Sequence, residues 1–137
     1  MQPQPLIAVA DVEASSRWYQ QLLGAVSAHG GREYERLTID DRIVLQLHDW
    51  HAHGHQYLGD PSIPNGNGLL LWFQVDDFDD SVARARSLGV TFLEGPHYNA
   101  GAQHREFWIH DPDGYVIVLS GPQFEPQPET GEGMDHE

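Results

Sequence analysis

A chain of 137 residues without a single Cys has no disulfide, no thiolate nucleophile and no thiolate metal site. Twenty-one acids against seven Arg, with no Lys, give a formal charge of −14, which argues against a nucleic-acid partner and is compatible with drawing in a cation. No apolar run is long enough to cross a bilayer and the start is not of the basic-then-apolar secretory type, so a cytoplasmic protein with one domain's worth of core is expected.

In chain order, Leu6–Ala10 reads as a strand after a Pro-rich start, and Asp11 is placed to cap a helix from about Val12 to Leu23, which Gly24 ends. Glu33–Ile39 and Arg42–His48 read as a hairpin about an Asp40-Asp41 turn. Asp49–Asn67 is a long loop rich in His, Pro and Gly. Gly68–Val75 is a strand whose Leu-Leu-Leu-Trp-Phe run suits cover on both faces. A helix at about Asp79–Leu88 and a strand at Thr91–Glu94 follow, then an irregular stretch from Gly95 to His104. Arg105–His110 and Tyr115–Ser120 form a last hairpin about Asp111-Pro112-Asp113-Gly114, where Pro presets one turn dihedral and Gly takes the left-handed position.

One unit occurs twice. Val9-Ala10-Asp11-Val12-Glu13-Ala14-Ser15 runs to Leu23-Gly24, and sixty-six positions on Val75-Asp76-Asp77-Phe78-Asp79-Asp80-Ser81 runs to Leu88-Gly89. The chain is thus βαβββ followed by βαβββ, an α+β fold in a single domain over 1–122, with modules at about 4–57 and 66–122. An acidic Pro/Gly-rich tail, 123–137, has too little apolar surface to order itself.

The first unit with Ser16-Arg17-Trp18-Tyr19, its second copy, and Phe107-Trp108-Ile109-His110-Asp111-Pro112-Asp113-Gly114-Tyr115 together resemble the vicinal oxygen chelate superfamily of glyoxalase I, bleomycin resistance proteins and extradiol dioxygenases. The resemblance implies two βαβββ modules forming an open, cup-shaped mixed sheet, in a homodimer. It also implies that the metal-ligand positions of the metal-using members fall on Gln4, Gln46, Leu70 and Val118. Two amides and two aliphatic side chains are a poor donor set for a catalytic divalent ion, so no metal cofactor is expected there.

Strand alternation places further residues on the cup face: Leu6 and Ala8 with Gln4, Val44 and His48 with Gln46, Trp72 and Gln74 with Leu70, Val116 with Val118. Arg105, Phe107 and Ile109 join them if the last hairpin is regular; a bulge would bring Trp108 and Glu106 instead. The candidate ligand-binding set is therefore Gln46, His48, Trp72, Gln74, Arg105, Phe107 and Trp108, an apolar and aromatic lining for a small organic molecule. His51, His53 and His55 would share one side of an extended segment, so a second metal set is His48, His51 and His53. Other His residues, His97, His104 and His110, read as surface groups.

Two functions follow. One is a small-molecule-binding protein, similar to the bleomycin resistance branch and so to antibiotic resistance, that sequesters an aromatic or cationic compound without catalysis. The other is a metal-dependent lyase or dioxygenase with an altered His/Gln site. A nucleophile–base pair is not evident, since Ser15, Ser16 and Ser81 belong to helix starts.

Overall fold

Two Asp residues start the two helices, and they do so identically. Asp11 accepts from the Ala14 backbone N–H at 3.0 Å and Asp77 from that of Asp80 at 3.0 Å, each satisfying a donor that has no partner within its helix. The computed structural model describes residues 1–127. Its elements are β1 (Leu6–Val9), α1 (Val12–Leu23), β2 (Val26–Ser27), β3 (Tyr34–Ile39), β4 (Arg42–Asp49), β5 (Leu70–Gln74), α2 (Phe78–Ser87), β6 (Phe92–Asn99), β7 (His104–His110) and β8 (Val116–Ser120). Two short 3-10 turns, Ala52–Gly54 and Gln56–Leu58, lie in the His-rich loop.

The chain divides into a first unit, Met1–Asn65, and a second that begins at Gly66. Each holds one helix and a four-stranded mixed sheet with the same topology. The orders are β1-β4-β3-β2 and β5-β8-β7-β6, with the first pair parallel and the rest antiparallel. The βαβββ order expected from the repeat is present in both. Among the described residues no helix is long and apolar enough to cross a membrane.

Each unit buries the sheet face that carries its helix. In the first, Ile7, Val9, Leu37, Leu45 and Leu47 pack with Tyr19 and Leu22 of α1. In the second, Phe107 meets Phe78 of α2 with ring centroids 5.7 Å apart and Phe92 at 5.4 Å. Burying such side chains stabilises by about 1.5–3 kcal/mol each. The helix-bearing face of the first sheet also holds a carboxylate. Glu35, 2% exposed, accepts from the Ser16 and Ser27 hydroxyls at 2.8 and 2.7 Å and from the His29 and Gly30 N–H groups at 3.1 and 2.8 Å. Burial alone would favour its neutral form; the four donors outweigh it and hold the carboxyl below its ordinary value.

Three expectations are corrected here. The strand expected to be covered on both faces is not: Leu70 and Trp72 in β5 are 44% and 45% exposed. The stretch from Gly95 to His104 is not irregular throughout, because β6 runs on to Asn99. The His-rich segment is not extended; the two 3-10 turns break it, and His53 has φ +64°. Of the tail, residues 123–127 are described, with Glu125 held by Arg105, and residues 128–137 lie outside the described residues.

Candidate functional site

The face of each sheet away from its helix is where polar and aromatic groups gather. In the first unit the ladders put Leu6, Ala8, Tyr34, Arg36, Gln46 and His48 on that face. Gln46 is hydrogen-bonded at both ends of its amide. Its Oε1 accepts from the Tyr34 hydroxyl in a short hydrogen bond, and its Nε2 donates to the Gln4 carbonyl at 2.8 Å. Burial pushes the Tyr34 hydroxyl above its usual pKa, with Glu35 adding to the effect against the opposing pull of Arg36. His48 is buried, with Nδ1 2.7 Å from the Asp49 carbonyl, and its ring meets those of His55 and His53 edge-on at 4.7 and 5.5 Å. A depression of about 1170 Å³ opens here, lined among others by Tyr34, His48, His53, His55 and the start of α1.

His51 does not join this group. It is exposed, and its backbone N–H donates to Asp49. Among the described residues, neither His48, His51 and His53 nor the actual trio His48, His53 and His55 brings three ligand atoms within 4.8 Å of one another. The chain turns between these side chains, so the period-two spacing that suggested a metal set does not apply.

In the second unit the open face carries Leu70, Trp72, Gln74, Val116, Val118 and Ser120 from the parallel pair, with Glu106, Trp108 and His110 paired against them from β7. Trp72 and Trp108 meet at 6.0 Å with planes at 75°, and His104 packs edge-on to Trp72 at 5.9 Å. Both indole N–H groups are used: Trp72 donates to the Ser120 hydroxyl at 2.9 Å and Trp108 to Glu106 Oε2 at 2.7 Å. Glu106, 2% exposed, also accepts at Oε1 from His104 Nε2 at 2.8 Å and from the Asn99 amide at 3.2 Å. Burial again opposes the charge, and the donors Trp108, His104 and Asn99 together bring the carboxyl below its ordinary value. The anion therefore persists at neutral pH behind a corner of two indoles.

Arg105 and Phe107 do not belong to this face. The last hairpin has a three-residue loop, Asp111 bonding Tyr115 and Gly114 taking φ +90°, and not a two-residue one. The extra residue pairs Trp108 with Val118 and His110 with Val116, which turns Arg105, Phe107 and Ile109 toward α2. Arg105 there bonds Glu125 and Asp79, both at 2.9 Å, and lies over the Phe78 ring at 4.8 Å. Burial would lower its pKa, but the two carboxylates prevail and raise it. The expected ligand-binding guanidinium is a structural clamp. His104, expected at the surface, is buried against Glu106; His110 is exposed as expected.

A family model, the Glyoxalase/Bleomycin resistance protein/Dioxygenase superfamily, matches residues 2–119. The chain belongs to this superfamily. No curated protein matched. Among solved structures, a glyoxalase/bleomycin resistance protein/dioxygenase family enzyme from Burkholderia phytofirmans PsJN superposes with TM-score 0.71 at 22% identity, covering 86% of this chain and 95% of that one. An integron cassette protein from the mobile metagenome of V. cholerae gives 0.68 at 22%, covering 88% and 94%. The fosfomycin resistance protein FosX from Listeria monocytogenes, complexed with Mn(II) and sulfate, gives 0.67 at 16%, covering 90% of each chain. At these identities the likeness establishes the fold alone.

The superfamily's metal positions, carried over to this chain, do not fit an ion. The Gln46 amide is a neutral, weak donor already bonded to Tyr34 and Gln4, and neither Leu70 nor Val118 has a lone pair. Val118 is fully buried and is flanked in register by Trp72 and Trp108.

Proposed function

We propose that this superfamily member binds a flat organic molecule carrying a positive charge, on the open face of its second sheet, and does so without chemistry at the superfamily's usual metal positions. The observation that carries the reading is the Trp72–Trp108 corner. Trp72 is 45% exposed in the middle of a sheet face, where an apolar side chain without a ligand gains little. With both N–H groups bonded from within, what the rings offer a ligand is apolar surface and π density. That surface attracts planar and cationic groups, and the Glu106 carboxylate and a chain charge of −14 favour the same sign of ligand. Gln74, exposed on the same face, adds an amide at its rim.

The relatives support the class and not the ligand: they include fosfomycin resistance proteins and a glyoxalase/bleomycin resistance protein/dioxygenase family enzyme. A homodimer, as the resemblance implies, is part of the proposal and is checked by sedimentation equilibrium. The binding test is quenching of Trp fluorescence by planar cations of the acridine and bleomycin types. Trp72→Ala and Trp108→Ala should each weaken binding about 5- to 30-fold, given about 1–2 kcal/mol for a partly desolvated cation–π contact. Equal affinity in wild type and Trp72→Ala would rule the reading out. Neutral aromatic probes binding as well as cations would remove the charge from it.

A further inference from the structure

The geometry points to a divalent-cation site at Glu94, His97 and Glu106 in the second unit, separate from the superfamily's ligand positions and from the His-rich loop. Ligand atoms of these three residues lie within 4.8 Å of one another. They come together for a reason visible in the ladder. In a regular strand Glu94 and His97, three apart, would point to opposite faces. The β6–β7 register shifts twice, so that Glu94 pairs with Trp108 and His97 with Glu106, and both side chains share the open face. Gly95, between them, has φ +75°, and a Cβ there would stand 2.5 Å from the Glu106 carbonyl oxygen, so the close approach depends on glycine.

Two further observations point to a ligand. The Nδ1 atom of His97 is sealed from solvent and has no hydrogen-bond partner among the described residues, an arrangement that costs free energy unless something binds the ring or its protons are rearranged. The Glu106 carboxylate is oriented by donors on both oxygens, as ligating carboxylates commonly are. Oε1 has two donors, Asn99 and His104, while Oε2 has one, Trp108, which leaves Oε2 a free lone-pair direction.

One imidazole and two carboxylates are a donor set for first-row divalent ions such as Zn2+ or Mn2+, and not for a soft ion that needs thiolate. Bond lengths of about 2.0–2.2 Å require donors about 3–4 Å apart, so a set already within 4.8 Å has to contract slightly, and Glu94 is exposed and free to move. Three protein donors leave positions open on the face that carries Trp108 and Trp72. The site shares Glu106 with the proposed organic-cation face, but Glu94 and His97 belong to the ion site alone and Trp72 to the organic site alone, so the two fail separately.

The test is isothermal titration of untagged, chelator-stripped full-length protein with ZnCl2 and with MnCl2. Variants are Glu94→Gln, His97→Ala and, in the His-rich loop, His53→Ala/His55→Ala. One ion per chain is expected, with affinity down at least ten-fold in Glu94→Gln and in His97→Ala and unchanged in the double loop variant. Glu94 is exposed, so its variant keeps the fold and isolates the ligand role. X-ray absorption of the Zn2+ form should show a shell of oxygen with one imidazole. Affinity indifferent to Glu94→Gln and His97→Ala, or lost in the loop variant, would overturn the assignment. Trp72→Ala should leave ion affinity intact, whereas it weakens binding of the organic probe.

Discussion

Replacing Glu35 by Gln keeps the shape of a buried side chain and removes its charge. In the native unit five donors converge on the carboxylate: three backbone N–H groups, of His29, Gly30 and Arg36, on Oε1, and two hydroxyls, of Ser16 and Ser27, on Oε2. The amide oxygen can keep the backbone donors, and the serine hydroxyls can rotate to accept from the new NH2. Each bond then falls from the charged to the neutral class, a difference of about 1 kcal/mol. Five such losses, reduced because they share one group, give about 2–4 kcal/mol. With a urea slope of about 1–3 kcal/mol per molar, the unfolding midpoint should drop by about 1–2 M. The pH dependence supplies a second readout. Because the folded-state pKa of Glu35 lies below its unfolded value, the unfolded chain takes the proton first as pH falls. The stability it contributes is complete above the model-peptide value of 4.5 and is lost as pH drops through the folded value. Wild type should therefore lose stability more steeply than Glu35→Gln below that point, with Glu106 supplying the slope common to both. The assay is urea unfolding followed by circular dichroism from pH 7 to pH 3. A midpoint within experimental error of wild type at pH 7, or parallel pH profiles, would refute the account of Glu35 as an ionised, fully satisfied staple.

Other outcomes follow from the same contacts. Arg105→Met should cost about 1–3 kcal/mol in urea unfolding, because it leaves a mostly buried Glu125 without its partner, while affinity for a planar cation stays unchanged. Asp79→Asn, whose carboxylate is 82% exposed, should change stability by less than about 0.5 kcal/mol in the same assay. Gly95→Ala should lower stability by about 2–4 kcal/mol, since it adds a Cβ against the Glu106 carbonyl at a positive φ; a neutral result by thermal unfolding would contradict the packing described for β6. Ser120→Ala frees the Trp72 indole and should weaken the fluorescence-detected binding of a planar cation about two- to ten-fold, the worth of one net hydrogen bond.

The repeat, the capping residues and the alternation of strands were readable because each is local. Asp11 and Asp77 each mark a helix start by a side chain that reaches its own first turn, and Gly24 marks the first helix's end with φ +69°. Trp72 and Gln74 were correctly placed on the open face because a parallel strand paired without bulges keeps its period of two. The β7 face was set by the loop at Asp111–Tyr115, where one residue more than a two-residue turn reverses every side chain on the strand. Glu94 and His97 escaped notice for a related reason: two register shifts lie between them and their neighbours. The dipeptide Gly95-Pro96 within a strand was the available sign of a bulge.

The sequence by itself determined the α+β class and the duplicated βαβββ order, since these depend on residue type and short-range spacing. Only the tertiary structure decided that Arg105 clamps α2 and not a ligand, that His51 stands apart from His48, His53 and His55, and that Glu106 gathers Trp108, His104 and Asn99. Those outcomes turn on register and loop length, and a shift of one residue, which costs little in the local chain, moves a side chain from one face of a sheet to the other.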